Sequence, residues 1–319
     1  MSDGSESDTF TRLYAKAEKT KKVIALKLFG RGGKRPGFSG KNRQREKGKK
    51  DGRIFVNSGG RVEIMKEIRS SGREKHPGTE ERARQYFSHD FALYVDMSEC
   101  VSRGAAEIFY AAEDGVFLCE RVSGIHMLAA DSSETARRLL EAFSMRFPDP
   151  KRKFLVAHGD AVLRAAYDCL PVCAETSCYQ VVYTGGRRTL AGALRFARPE
   201  EAELETIKRE YSLESPKNLD RLAAAGNIWC GFARENGKDT FVGFIGKHPE
   251  GSMGLLQVFP EYRRRGYGEE LESFMINRFL DEGRIPYAHI IDDNRKSMNL
   301  QKKLGYDVAN EKIYWLALR

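Results

Sequence analysis

Features that would mark several protein classes are missing from this sequence of 319 residues. No apolar run reaches the about 18–20 residues that a membrane-spanning helix needs, and no secretory signal with a small-residue cleavage site is recognisable. The six cysteines form no Cys-x-x-Cys pair and the six histidines are scattered, so no His/Cys cluster has metal-ligand spacing. These absences predict a cytoplasmic chain with reduced cysteines, no membrane partner and no metal site.

Acidic residues are scarce in one region only. Residues 1–64 hold 17 Lys and Arg but 7 Asp and Glu, whereas the other residues hold 37 and 38. The net charge of +9 therefore belongs to the N-terminal segment, which is rich in Gly, Lys and Arg. The composition predicts a disordered extension or linker over 1–85, either a dispensable solvated segment or, through 1–64 alone, a nucleic-acid-binding tail. An alternative is that translation begins at Met65.

Alternating apolar residues and turn signals predict the elements that follow. In the first part, strands are predicted at 92–96, 105–111, 116–121, 124–129, 154–157 and 179–183, with helices beginning near Ser133 and Asp160. In the second part, strands are predicted at 193–197, 227–233, 240–246, 252–258, 287–291 and 312–318, with helices at 199–211, 216–225, 269–281 and 295–303. This order predicts an α/β (α+β) fold.

The ends of the two parts have the same pattern. Asp160 and Asn294 each precede a helix, and the strand after that helix contains Tyr179 in the first case and Tyr314 in the second, 19 and 20 residues later. This spacing predicts an internal duplication. The expected domains are a degenerate first half over 86–186 and an intact second half over 190–319, each with a mixed, mostly antiparallel sheet flanked by helices.

The most informative motif joins a strand to a helix in the second half. The strand ends at Val258, and Arg263-x-x-Gly266-x-Gly268 then opens a helical stretch. A glycine-rich turn at a helix start leaves backbone N–H groups free at the positive end of the helix dipole. Glycine lets a pyrophosphate approach the backbone, and neighbouring arginines add charge-assisted donors. The motif therefore predicts a site for a nucleotide diphosphate.

Two further motifs follow in order and complete a family resemblance. They are Asn294-x-x-Ser297-x-x-Leu300 and Gly305-Tyr306, where Gly305 is expected to end the helix in a left-handed cap. With the glycine loop, they resemble the GNAT superfamily of acyl-CoA N-acyltransferases over about 193–319. A degenerate half followed by an intact half is similar to the glycine N-acyltransferase-like branch and to bacterial tandem GNAT proteins.

The resemblance implies a co-substrate and its contacts. Acetyl-CoA or another acyl-CoA is expected, with its pyrophosphate on the backbone amides of 264–269. Its pantetheine arm is expected to pair with the strand end at Val258, where the fourth and fifth strands of the fold splay apart. Asn294 is expected either to reach this cleft or to act as a plain helix cap. The implied cofactor-binding residues are Val258, Arg263, Arg264, Arg265, Gly266, Tyr267, Gly268, Glu269 and Asn294.

Catalytic residues are harder to assign. Many members of the superfamily use a tyrosine as general acid, seven residues after the asparagine, but this sequence has Gln301 there, and Tyr306 is expected in the core. The strand at 252–258 carries no carboxylate that could act as base. The remaining candidates are Glu250 and His248, which are expected in a hairpin turn, and Gln257, which can orient water but cannot accept a proton. A water-relayed base is therefore one hypothesis.

Two classes of function remain. The first is an N-acyltransferase that moves an acetyl or small acyl group to a primary amine of a small molecule or amino acid. The second is a catalytically weak acyl-CoA-binding sensor or interaction protein, which the missing tyrosine favours. A monomer or homodimer is expected in either case, and the sequence does not identify the acceptor.

Overall fold

The computed structural model describes residues 78–146 and 154–319. The helices are α1 (Thr79–Phe87), α2 (Val95–Ser102), α3 (Ser133–Arg146), α4 (Asp160–Cys169), α5 (Glu201–Glu210), α6 (Pro216–Ala224), α7 (Tyr267–Asp281) and α8 (Arg295–Leu304). The strands are β1 (Ala106–Ala112), β2 (Gly115–Glu120), β3 (His126–Ala130), β4 (Phe154–His158), β5 (Val172–Val182), β6 (Leu194–Ala197), β7 (Ile228–Glu235), β8 (Lys238–Lys247), β9 (Met253–Val258), β10 (Tyr287–Ile291) and β11 (Asp307–Leu318). The predictions for residues 1–77, including the nucleic-acid role and the start at Met65, lie outside the described residues.

One sheet runs through the described part of the chain. Its eleven strands follow the order β1-β2-β3-β4-β11-β5-β10-β9-β8-β7-β6. Helices α1, α2, α5 and α6 cover one face, called here the α2 face, and α3, α4, α7 and α8 cover the other, called the α7 face. The predicted α/β class with a mixed sheet flanked by helices is confirmed, and the two expected sheets are joined into one.

The two halves share an element order. Three strands, a helix, a strand, a helix and a long strand occur as β1-β2-β3-α3-β4-α4-β5 and again as β7-β8-β9-α7-β10-α8-β11. The last strand of each half lies in the other half. Strand β5 pairs with β10, strand β11 pairs with β4, and the two long strands pair with each other. This exchange links the halves, and the predicted domain bounds stay a prediction.

Both exchanged strands are longer than predicted. Strand β5 has 11 residues and β11 has 12, because each pairs along both edges and crosses from one half to the other. Sequence patterns mark only the part of each strand that is strongly apolar. Strand β10, by contrast, has the predicted bounds, Tyr287–Ile291.

The strand predicted at 92–96 is wrong, because this segment forms a turn and the start of α2. The Asp90 carboxylate accepts the backbone N–H of Leu93 at 3.0 Å, and the Asp90 carbonyl accepts the N–H of Tyr94 at 3.1 Å. Aspartate commonly starts turns in this way. The disordered extension or linker predicted over 1–85 is wrong for residues 79–85, which lie in α1.

Within residues 78–146 and 154–319, no helix is long and apolar enough to cross a membrane. All six cysteines are free thiols. Burial raises the pKa of Cys100, Cys178 and Cys230 to about 12, so these three thiols carry little thiolate near neutral pH.

Candidate functional site

A gap opens between the parallel strands β9 and β10. They pair at one position, Met253 with Ala288. The other edge of β9 stays paired with β8 as far as Val258, which lies opposite Gly243. Beyond Met253, one edge of β9 therefore has no strand partner in the described structure. A free strand edge can accept an extended ligand as if it were an added strand.

A bulge accounts for the divergence of β9. Leu255 has φ of 54°, in the left-handed region that a branched side chain rarely adopts. The register with β8 shifts opposite this residue, between Phe244 and Gly246. A bulge bends a strand and increases its twist, which separates β9 from β10. The sequence signal for it was Gly254, because an isolated glycine in a strand often marks a bulge or a close approach.

The loop between β9 and α7 presents unpaired backbone amides. Arg264 and Gly266 have φ of 66° and 84°, the second favouring glycine. The amide N–H groups of Arg264, Arg265 and Gly266 have no acceptor within the described residues. The first amides of α7 add further free donors at the positive end of the helix. Such a concavity of N–H groups suits a phosphate.

Gly268 fits the same purpose. A Cβ at this position would lie 3.8 Å from Val258 Cγ2 and 3.9 Å from Leu300 Cδ2, which is ordinary contact. The protein alone therefore does not require glycine here. The missing Cβ leaves space beside the free amides, which is what a bulky phosphate needs.

The three arginines of the loop differ in what they contact. Arg263 Nε donates to the Val258 carbonyl at 3.0 Å, and Arg265 pairs with Glu235 at 2.6 Å. Both therefore hold the loop in place. Arg264 is exposed and makes no side-chain hydrogen bond or ion pair with the described part of the chain. Its guanidinium is the one best placed for an anion.

Two other predicted cofactor contacts have structural partners. Glu269 accepts a hydrogen bond from Lys303 and so joins α7 to α8. Asn294 Oδ1 accepts the Ser297 N–H at 3.2 Å, so the helix-cap interpretation of Asn294 is confirmed. Its cofactor role stays a prediction. Gly305 ends α8 with φ of 83°, as predicted.

The position expected for a general acid is enclosed on the α7 face. Gln301 Nε2 donates to Glu272 Oε1 at 3.0 Å, and the Tyr306 hydroxyl donates to the same oxygen at 3.3 Å. Burial raises the pKa of Glu272 to about 7, although both hydrogen bonds lower it. Tyr306 belongs to the core, as predicted. This group therefore holds α7 and α8 together.

Two of the three base candidates each have one side-chain polar atom hydrogen-bonded within the protein. Gln257 Nε2 donates to the Glu210 carbonyl at 3.2 Å. Glu250 is buried in the turn between β8 and β9, and its Oε1 accepts from the Ser252 hydroxyl at 2.6 Å. The third candidate, His248, lies in the same turn and faces the Glu214 carboxylate, 3.5 Å from Nδ1 to Oε1.

A buried polar cluster on the α2 face was missed by sequence reasoning. His158 Nε2 lies 2.9 Å from Asp96 Oδ1, and Gln180 Nε2 donates to the same oxygen at 3.0 Å. His289 Nε2 lies 3.8 Å from the other Asp96 oxygen. Burial would raise the pKa of Asp96, but the charge and hydrogen bond of His158 and the charge of His289 hold it below its ordinary value. Burial lowers the pKa of His289.

These residues come from distant parts of the chain. Asp96 belongs to α2, His158 to β4, Gln180 to β5 and His289 to β10, and the strand exchange pairs Gln180 with His289. No local spacing in the sequence could have connected them. In the described ranges, no group of three or more His, Cys, Asp or Glu side chains is arranged to hold a metal ion.

One family model matches part of the second half of this chain. Residues 230–316 match the family model described as FR47-like protein, a range that contains β9, the loop, α7 and β10. No curated protein matches the chain.

Several solved structures are similar to this chain. A Drosophila protein shares 14% identity, with 83% of this chain and 97% of that chain covered and a TM-score of 0.48. A GCN5-related N-acetyltransferase-like protein from Streptococcus suis shares 14%, covering 80% and 99%, with a TM-score of 0.40. An acetyltransferase of the GNAT family from Colwellia psychrerythraea shares 12%, covering 83% and 98%, with a TM-score of 0.41.

The fold and the site together define a class. A parallel strand pair opens beyond one contact, and a loop of free amides at a helix start follows it, which is an arrangement that suits a phosphate-containing ligand. Residues 230–316, which contain this architecture, match the FR47-like family model, and this match supports the resemblance of the sequence to the GNAT superfamily. The glycine N-acyltransferase-like branch stays a prediction.

Proposed function

We propose that this chain is an acyl-CoA-dependent N-acyltransferase that moves an acetyl or small acyl group to a primary amine of a small molecule or amino acid. The observation that carries the proposal is the free edge of β9 beyond Met253, which leads directly into the loop of unpaired amides. The co-substrate would supply an acyl group activated as a thioester.

Residues of the chain fit the parts of such a co-substrate. The amides of Arg264, Arg265 and Gly266, with the space beside Gly268, suit its pyrophosphate. The exposed Arg264 side chain adds positive charge next to them. The free edge of β9 suits the amide-containing pantetheine arm, and its N–H groups are donors for a developing oxyanion.

The acceptor amine is proposed to approach from the α2 face. On the α7 face, Leu256 and Val258 of β9 pack against the core formed with α7 and α8. On the α2 face, polar groups surround the start of β9, including His248, Glu214 and His289. Polar groups that can accept a proton are what an amine substrate needs.

The test uses the full chain. Acetyl-CoA binding is measured by isothermal titration calorimetry, and release of free thiol is followed with a panel of primary amines and amino acids. The expected result is saturable binding and amine-dependent thiol release, with the N-acetyl product identified by mass spectrometry. Failure to bind acyl-CoA would overturn the proposal. Binding without turnover on any amine would favour the sensor function instead.

A further inference from the structure

His248 has an unusual position on the α2 face of β9. It follows β8 in a tight turn, where its N–H donates to the Ser252 carbonyl at 2.9 Å and its carbonyl accepts from Gly251 at 3.0 Å. The imidazole lies over the backbone of Gly254. A Cβ at Gly254 would be 2.2 Å from His248 Nε2 and 2.5 Å from Cδ2.

The position of the His248 ring therefore explains why residue 254 is glycine. Any larger residue at 254 would displace the ring, because Cβ contacts below about 3 Å do not occur in real structures. Gly254 directly precedes the bulged Leu255, where β9 separates from β10. The His248 ring thus packs on the backbone of Gly254, at the point where the gap between β9 and β10 begins.

Glu214 faces the other nitrogen of the same ring. Its Oε1 lies 3.5 Å from His248 Nδ1, and its Oε2 accepts from Asn218 Nδ2 at 2.6 Å. The Glu214 side chain is 12% exposed and that of His248 is 27% exposed. A carboxylate that favours a proton on Nδ1 leaves Nε2 as the acceptor, and Nε2 is the atom over Gly254.

The electrostatic surroundings favour proton uptake. The charged or titratable groups that face His248 are Glu214 from the segment between α5 and α6, Glu250 from its own turn and His289 from β10. Burial would lower the pKa of His248, but the carboxylates of Glu214 and Glu250 more than offset this, and the pKa lies above its ordinary value.

We propose that His248 Nε2 is the proton acceptor of acyl transfer and that Glu214 is its positioning residue. The inference rests on the proposed function. As the neutral acceptor nitrogen forms its bond to the acyl carbon, His248 takes a proton from that nitrogen. The carbon–sulfur bond then breaks and the electron pair stays on sulfur. The imidazolium releases its proton to solvent, and the leaving thiolate takes up a proton from solvent.

The main test is His248→Gln, which keeps a polar side chain of similar reach but cannot accept a proton. The expected result is a fall in kcat of about 10²–10⁴-fold, the range for loss of a general base, and disappearance of the acid limb of the pH–rate profile. The Kd for acetyl-CoA should stay within about twofold, since the amide loop is formed by other residues. The exposed His89→Gln is the matched control and should leave kcat unchanged.

Glu214→Gln separates positioning from simple folding. Loss of the carboxylate lowers the pKa of His248, so the acid limb of kcat/KM should move to lower pH. A structural defect would lower activity without moving that limb. The control is Glu205→Gln, a change in an exposed ion pair with Lys208 on α5, which should leave the profile in place.

Gly254→Ala tests the position of the ring without removing it. The added Cβ meets Nε2 and displaces the imidazole, so kcat should fall while acetyl-CoA still binds. Transfer that survives in His248→Gln with an unchanged pH profile would overturn this inference alone. Absence of transfer in the unmodified protein with every amine would overturn the proposed function and this inference together.

Discussion

The two parallel strand pairs of this molecule have the same connections but different separations. In the first half, β3 and β4 pair at four positions, from His126 with Leu155 to Ala129 with His158. In the second half, β9 and β10 pair only at Met253 with Ala288. A shared topology has therefore given an open cleft in one half and a closed sheet in the other.

Side chains keep the first pair closed. His158 Nδ1 lies 3.1 Å from the Leu128 carbonyl on the neighbouring strand, while Asp96 holds the other ring nitrogen. No residue of β3 has positive φ, whereas Leu255 in β9 does. One bulge and one histidine thus distinguish a strand pair that can admit a ligand from one that cannot.

The helices that follow these strand pairs, α3 and α7, differ in how many polar side chains they bury. Helix α3 begins almost directly after β3 and buries apolar residues with a single threonine, Thr135. Helix α7 begins after the long amide loop and buries Glu270, Glu272, Ser273 and Asn277. Glu270 accepts the N–H groups of Gly192 and Leu194 at 2.9 and 3.2 Å. The polar core of α7 therefore anchors the segment that joins the halves.

The largest effect is expected for Asp96→Asn, which removes the charge that holds His158. The two ring nitrogens of His158 face the Leu128 carbonyl and the Asp96 carboxylate. Removing one partner of a buried pair costs about 3–5 kcal/mol, to be measured as the free energy of unfolding in urea at pH 7. Because the pKa of Asp96 is lowered, this stabilisation is present above the unfolded-state pKa and is lost as pH falls through the folded value.

Asp168→Asn is the control for that experiment. Asp168 forms an exposed ion pair with Arg137 at 2.7 Å, and exposed pairs contribute about 0–1 kcal/mol. A loss in Asp96→Asn as small as the control's would contradict the view that His158 and Asp96 keep the first half closed.

Whether a feature of the fold or the site was predictable from the sequence depends on how far apart the interacting residues lie in the chain. The loop after Val258, the cap at Asn294 and the bounds of β10 follow from neighbouring residues, and they were predictable. The exchange of β5 and β11 was not, since it depends on pairing between residues more than a hundred positions apart, such as Ile313 with Cys178. The contact of Asp96 with His158 was not predictable either, because it joins residues 62 positions apart.

The next effect concerns Glu272, a buried carboxyl of α7 with no counterpart in α3. Its pKa is raised from 4.5 to about 7 in the folded protein. The Glu272 carboxyl therefore ionises at lower pH in the unfolded chain than in the folded protein, and the free energy of unfolding falls as pH rises from 4.5 to 7. At 1.36 kcal/mol per unit, Glu272→Gln should raise the free energy of unfolding at pH 8 by on the order of 3 kcal/mol. The gain should vanish near pH 4.

Glu269→Gln is the matched control on the same helix, because Glu269 is half-buried and paired with Lys303. It should give no pH-dependent gain. Equal stabilisation of Glu272→Gln at pH 4 and pH 8, in thermal unfolding scans across that range, would contradict the raised pKa.

The smallest free-energy effect, and the sharpest test of the comparison, is expected for Gly268→Ala. The protein has room for this Cβ, so the free energy of unfolding should change by less than about 1 kcal/mol, in the direction of stabilisation, because alanine favours helix. A methyl group beside the amides would obstruct a phosphate, and the Kd for acetyl-CoA should rise about 10–100-fold, equivalent to about 1.4–2.7 kcal/mol. Gly186→Ala, in open space, is the control.

Calorimetry should give one acetyl-CoA per chain. A second site that keeps its affinity in Gly268→Ala would mean that the first half also binds, despite its closed strands.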